Sequence, residues 1–137
     1  MAVVLDTSAL VEMERSLAAG TTPELPADEE VLIPSIVWAQ ALVGVRLADT
    51  PARAARRRAQ LEAVRSTAEI VAFAPEIAEH YADIFGELRA HGSLVPQNDI
   101  AVAATARSID AAVLVGPNDE AHFTRVERLR VIVLRSA

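Results

Sequence analysis

The chain opens on a short apolar run, Ala2-Val3-Val4-Leu5, that stops at a carboxylate, Asp6, before Thr7-Ser8 and a fresh apolar pattern. No other stretch constrains the fold as much. The run is too short for a helix and rich in Val, so it reads as a fully buried strand. Thr7 or Ser8 suits the N-cap of a helix carrying Leu10, Val11, Met13, Leu17 and Ala18 on its inner side. Asp6 then stands where a central strand stops, and in parallel α/β sheets ligands bind in the crevice beyond the carboxyl ends of the strands. Asp is also favoured near helix N-termini for its own sake, so the position has a structural reading beside the chemical one.

At 137 residues the chain is expected to form one domain with a sizeable core, and 52% apolar residues exclude a disordered chain. No apolar run approaches the ~20 residues of a membrane span. The opening strand lacks a basic flank, so no signal peptide and a cytoplasmic location are expected. The absence of Cys removes disulfides, thiolate metal sites and cysteine nucleophiles. All 13 basic residues are Arg, which excludes a Walker-A or Schiff-base lysine. A net charge of −6 argues against gripping nucleic acid by bulk charge. It leaves room for contact through a divalent metal and a local basic patch.

Strand and helix signals alternate along the rest of the chain. Gly20 to Glu30 has loop chemistry, Val31-Leu32-Ile33 reads as a second buried strand, and Pro34-Ser35 opens a helix to about Leu47. Asp49-Thr50-Pro51 starts a helix over Ala52 to Arg65, Glu69 to Phe73 is a strand candidate, and Pro75 opens a helix towards Ala90 that ends at His91-Gly92. Asn98 or Asp99 starts a helix over Ile100 to Ser108. Ala111 to Val115 is a buried strand, Gly116 to Asp119 a turn, Ala121 to Val126 a short helix and Val131 to Leu134 a last strand. The alternation predicts an α/β fold with a central, mostly parallel sheet flanked by helices.

Asp6, Asp99 and Asp119 all fall at loop-to-helix junctions, which parallel strands can bring to one edge of the sheet. Carboxylates brought together repel one another and need a counter-charge. Mg²⁺ or Mn²⁺ supplies it, held by a few carboxylates plus waters and phosphate oxygens, and such a site can direct water at a phosphodiester. His80, His91 and His122 have no spacing suggesting a shared ligand set and read as surface or helix-end residues.

These residues carry a resemblance. Leu5-Asp6-Thr7-Ser8-Ala9-Leu10 resembles the opening motif of PIN-domain nucleases, in particular the VapC toxins of bacterial toxin–antitoxin pairs. Tyr81, Ile84, Leu88, Gly92, Pro96, Asp99, Ile100, Ala101, Ala103 and Ala106 match the family's spacing in the second half. The resemblance implies a metal-dependent endoribonuclease using Mg²⁺ or Mn²⁺, an RNA substrate, a cognate VapB-like antitoxin, a homodimer or toxin–antitoxin hetero-oligomer, and no membrane association. It implies Asp6 and Asp99 as metal ligands, with Gln40 and a fourth position completing the pocket. The family carries Glu where Ala39-Gln40-Ala41-Leu42-Val43-Gly44 has Gln40, and a carboxamide keeps the shape while removing a charge. For the fourth position, alignment from the preceding strand favours Asn118 and spacing back from Phe123 favours Asp119. Asp119 is preferred because its carboxylate can ligate metal.

Two further features have double readings. Arg53, Arg56, Arg57, Arg58 and Arg65 are either a solvated helix face or part of an RNA path. Trp38 and Leu42 point roughly opposite to Gln40, at ~100° per residue, and read as core, subunit interface or an antitoxin groove. The competing function is a catalytically silent binding module acting only in an antitoxin-regulated complex. A phospho-acceptor receiver domain also has acidic strand ends but usually needs a lysine.

Overall fold

The computed structural model describes residues 2–21, 25 and 29–134. Five strands, β1 (Ala2–Leu5), β2 (Glu30–Pro34), β3 (Glu69–Val71), β4 (Ala112–Val115) and β5 (Val131–Val133), form one sheet in the order β3-β2-β1-β4-β5. Every pairing is parallel. The expected sheet is therefore present and wholly parallel. Its helices are α1 (Thr7–Ala18), α2 (Ser35–Arg46), α3 (Pro51–Arg65), α4 (Pro75–Ala90), α5 (Gln97–Ser108) and α6 (Glu120–Thr124). Most of the expected Gly20 to Glu30 loop lies outside the described residues, and Glu30 itself begins β2.

The strand order follows from burial. Val3, Val4, Leu5 and all of Ala112 to Val115 are buried, so β1 and β4 take the centre, whereas β3 and β5 at the edges are only partly covered. Residues 100–106 of α5 are all buried. A helix apolar all round belongs inside, and its four alanines, Ala101, Ala103, Ala104 and Ala106, let it lie close against β1 and β4. Helices α1, α2 and α3 pack on one another, and α4 pairs with α5. Gly92, at φ 67°, ends α4 where the sequence predicted.

Two predicted helix starts move. Asp6, and not Thr7 or Ser8, is the N-cap of α1: its side chain accepts from the Ala9 N–H. Asp has the short acceptor that an N-cap needs, so one residue ends the strand and caps the helix. Helix α5 begins at Gln97 with Pro96 as its N-cap, placing Asp99 in the first turn and not at the cap. On α1 the buried positions are Ala9, Leu10, Met13, Glu14 and Ser16, while Leu17 and Ala18 are exposed.

Candidate active site

Because β1 has β2 and β3 on one side and β4 and β5 on the other, the chain reverses its direction of travel across the sheet at β1. The crevice beyond the ends of β1 and β4 is thus the expected ligand position. Leu5 pairs with Leu114, and the Asp6 N–H donates to the Leu114 carbonyl at 3.1 Å, which carries the ladder one residue past the strand. The Ser8 hydroxyl donates to the Asp6 carboxylate at 2.7 Å and accepts from the Gly116 N–H at 2.8 Å. The approach is tight at Gly116, where an added Cβ would lie 3.1 Å from the Ser8 Cβ. Asp6 is thereby held by its own helix and, through Ser8, by the end of β4.

Asp6 is 3% exposed, and burial pushes its carboxyl up to about 6, against the lowering effect of the Ala9 and Ser8 hydrogen bonds. The charges of Asp119 and Asp99 push it the same way. Asp99 is raised too, first by burial and then by Asp119, with His122 opposing. The three carboxylates therefore lie within electrostatic reach of one another, as their junction positions predicted. Asp119 is half-buried and spends no side-chain bond on capping α6, whereas Asn118 is exposed in the turn.

Gln40 enters from α2, where its Oε1 accepts from the Thr7 hydroxyl at 2.6 Å. His122 is the residue that sequence reasoning missed. Its Nδ1 lies 2.7 Å from the Asp99 Oδ2, so a ring read as a surface group instead steadies one of the acids. No local spacing signals this pairing, because Asp99 and His122 stand 23 residues apart. His91 does behave as an exposed residue, 3.9 Å from Glu127.

Among the described residues, no three His, Cys, Asp or Glu side chains are close enough to hold an ion by themselves. The donor set nevertheless suits a hydrated hard cation: its acceptors are carboxylate oxygens, and the carboxyls of Asp6 and Asp99 are raised, in part by uncompensated negative charge nearby. Such an ion is bound through one or two carboxylates while keeping several waters.

Elsewhere, Trp38 is buried, with the Arg65 guanidinium 5.6 Å from its ring centroid, as expected of a core residue. The α3 arginines are largely engaged locally: Arg53 with Asp49 at 2.8 Å, Arg58 with Glu62 at 2.9 Å and Arg57 with the buried Glu14 at 3.3 Å. No helix among the described residues is long and apolar enough to cross a membrane.

The wholly parallel sheet has counterparts among known proteins. A family model for the PIN domain matches residues 3–129. Ribonuclease VapC2 of Haemophilus influenzae is 34% identical over 101 residues, spanning 74% of this chain and 73% of that protein. The chain belongs to the PIN-domain family, among its VapC-type members. Among solved structures, a chain of VapBC2 from Rickettsia felis, determined bound to a promoter DNA fragment, superposes with TM-score 0.80 at 21% identity, over 98% of this chain and all 100% of that one. A chain of VapBC-5 from Mycobacterium tuberculosis, a member of the VapBC family of toxin–antitoxin systems, gives TM-score 0.72 at 28% identity, over 98% and 99%.

Proposed function

We propose that this protein is a Mg²⁺- or Mn²⁺-dependent endoribonuclease toxin of the VapC type, neutralised in the cytoplasm by a cognate VapB-like antitoxin within a homodimer or toxin–antitoxin hetero-oligomer. The observation that carries the reading is the gathering of Asp6, Asp99 and Asp119 within electrostatic reach of one another, where the carboxyls of both Asp6 and Asp99 are raised and Asp6 has no cationic partner. The names of the relative from Haemophilus influenzae and of the VapBC complexes support the activity and the partner.

In this reading Asp6 and Asp99 hold the metal directly and Asp119 closes the pocket. A divalent cation held there by Asp6 and Asp99 would offset their charge and would supply an activated water for hydrolysis of an RNA phosphodiester. The chain's own residues supply orientation. Ser8 and the Ala9 N–H fix the Asp6 carboxylate, and His122 fixes Asp99. Gln40, neutral where the resemblance implies Glu, would lower the charge available to the ion and so reduce activity. That one residue also favours the second reading, a catalytically silent module working only within the antitoxin complex.

Cleavage of a labelled RNA in Mg²⁺, in Mn²⁺ and in chelator, by the protein, by Gln40→Glu and by Gln40→Glu with Asp99→Asn, separates the two. The nuclease reading expects metal-dependent cleavage that Gln40→Glu strengthens and Asp99→Asn abolishes. Cleavage that persists in chelator or in the Asp99→Asn form overturns the mechanism, and no cleavage by any form leaves the silent module.

A further inference from the structure

A cavity of about 520 Å³ opens between the first turns of α2 and α5, the helices that carry Gln40 and Asp99. Its lining includes Ser35, Ile36, Phe73, Tyr81, Gln97 and Asn98, and none of its lining residues is charged. We propose that it binds an unpaired nucleobase of the RNA, next to the phosphodiester held at the acidic site; the inference rests on the ribonuclease reading and names what selects the cut.

Four observations carry it. Phe73 and Tyr81 meet edge to face, ring centroids 6.3 Å apart and planes at 80°, so the rings form the right-angled corner of a slot. Phe73 remains 48% exposed although apolar, which leaves ring surface for a flat partner to stack on. The side chains of Ser35, Gln97 and Asn98 form no hydrogen bond among the described residues, so two amides and a hydroxyl offer free donors and acceptors at an apolar slot. Recognition of single-stranded RNA uses that combination, an aromatic surface for the base plane and polar groups for its edge. Finally, the cavity is lined from the same helices that carry site residues: Ala39 in its wall precedes Gln40 on α2, and Asn98 precedes Asp99 in the first turn of α5. The neutral cavity suits an uncharged base, while the phosphate belongs on the acidic side with the cation.

The test uses a set of short single-stranded RNAs that differ in one base at each position around the cut. Cleavage by Gln40→Glu is compared with cleavage by the same protein carrying Phe73→Leu, or Gln97→Ala with Asn98→Ala, each checked for an unchanged melting temperature. The expected result is a base preference at one position beside the cut. Phe73→Leu raises KM for the favoured RNA about tenfold with little change in kcat, and the amide pair flattens the preference. Binding of the same RNAs in chelator, followed by fluorescence anisotropy, separates this inference from the one beneath it. If nothing is cleaved but Phe73→Leu still weakens binding, the base pocket stands and the nuclease reading falls. Absence of any base preference, or affinity and preference untouched by Phe73→Leu, overturns the proposal. So does loss of a dimer in sedimentation on Phe73→Leu, which would make the cavity a subunit interface.

Discussion

The Thr7 hydroxyl donates to the Gln40 carboxamide oxygen over 2.6 Å, tying the first turn of α1 to α2 one residue beyond the N-cap Asp6. A glutamate at position 40 accepts the same bond and brings a charge. Gln40→Glu is therefore expected to keep the fold, tighten Mg²⁺ or Mn²⁺ binding and raise RNA cleavage. With the ion chelated it is expected to melt lower, because another carboxylate joins an acidic pocket. Calorimetric metal affinity unchanged by the substitution would show that Gln40 stands clear of the ion.

Asp6 links metal, pH and stability. Its carboxyl is raised to about 6, so its contribution to folding is fully present below its ordinary value of 3.8 and is lost as pH rises through about 6. At pH 7.5 without metal the protein therefore keeps an ionised, buried carboxylate at a cost on the order of 3 kcal/mol. Asn caps a helix as well as Asp, so Asp6→Asn is expected to raise the melting temperature at pH 7.5 and to lose that advantage below pH 4. Added Mg²⁺ or Mn²⁺ should stabilise the unsubstituted protein and not Asp6→Asn. A pH-independent difference between the two would remove Asp6 as the titrating group.

His122 acts through Asp99. Replacing it with Phe keeps a ring of similar size and removes the 2.7 Å contact. Losing such an orienting partner is expected to weaken metal affinity or activity roughly 10- to 100-fold. The melting temperature should change little, because His122 is partly exposed at 45% of its side chain. Metal affinity equal to that of the unsubstituted protein would assign the contact no part in the site.

Glu14 and Arg57 lie farther from the chemistry and carry a purely structural test. The Arg57 guanidinium occupies the space over Gly44 that a Cβ would fill, and it pairs with Glu14, whose Oε1 has no hydrogen-bond partner among the described residues. Burial raises the Glu14 carboxyl despite Arg57 beside it. Gly44→Ala displaces the guanidinium and leaves the carboxylate uncompensated. A net loss of about 1 to 2 kcal/mol is expected after the helix propensity of Ala is counted. Denaturation should find most of that loss recovered in Gly44→Ala with Glu14→Gln; additive effects would break the link.

What could be read from the sequence alone follows a physical line. The central strands were legible because β1 and β4 are buried on both faces and so appear as unbroken apolar runs. Asp6, Asp99 and Asp119 were legible because strand ends and helix starts are local features, and a parallel sheet gathers them at one end. The N-cap was misplaced because Asp, Thr and Ser all have the needed acceptor, and only the Ala9 bond selects Asp6. The start of α5 was set late because Pro96 begins it without any side-chain cap bond to advertise the position. His122 is not legible as a site residue because its partner Asp99 is 23 residues away, and a histidine that braces a carboxylate leaves no ligand spacing in the sequence.

The pairing of β1 with β4, and the Ser8 to Gly116 bond across 108 residues, sets an order of events during synthesis. Asp6 is made more than 100 residues before the strand beside it, Asp119 and His122. Until then β1 lacks one of its two strand partners and the Asp6 carboxylate has no complete pocket around it. A growing chain therefore cannot carry the acidic crevice, and a chain released before β4 is made inherits only scattered side chains. The crevice is in this sense a shared property of two distant segments, and it exists only once β4 and the turn after it have closed against β1.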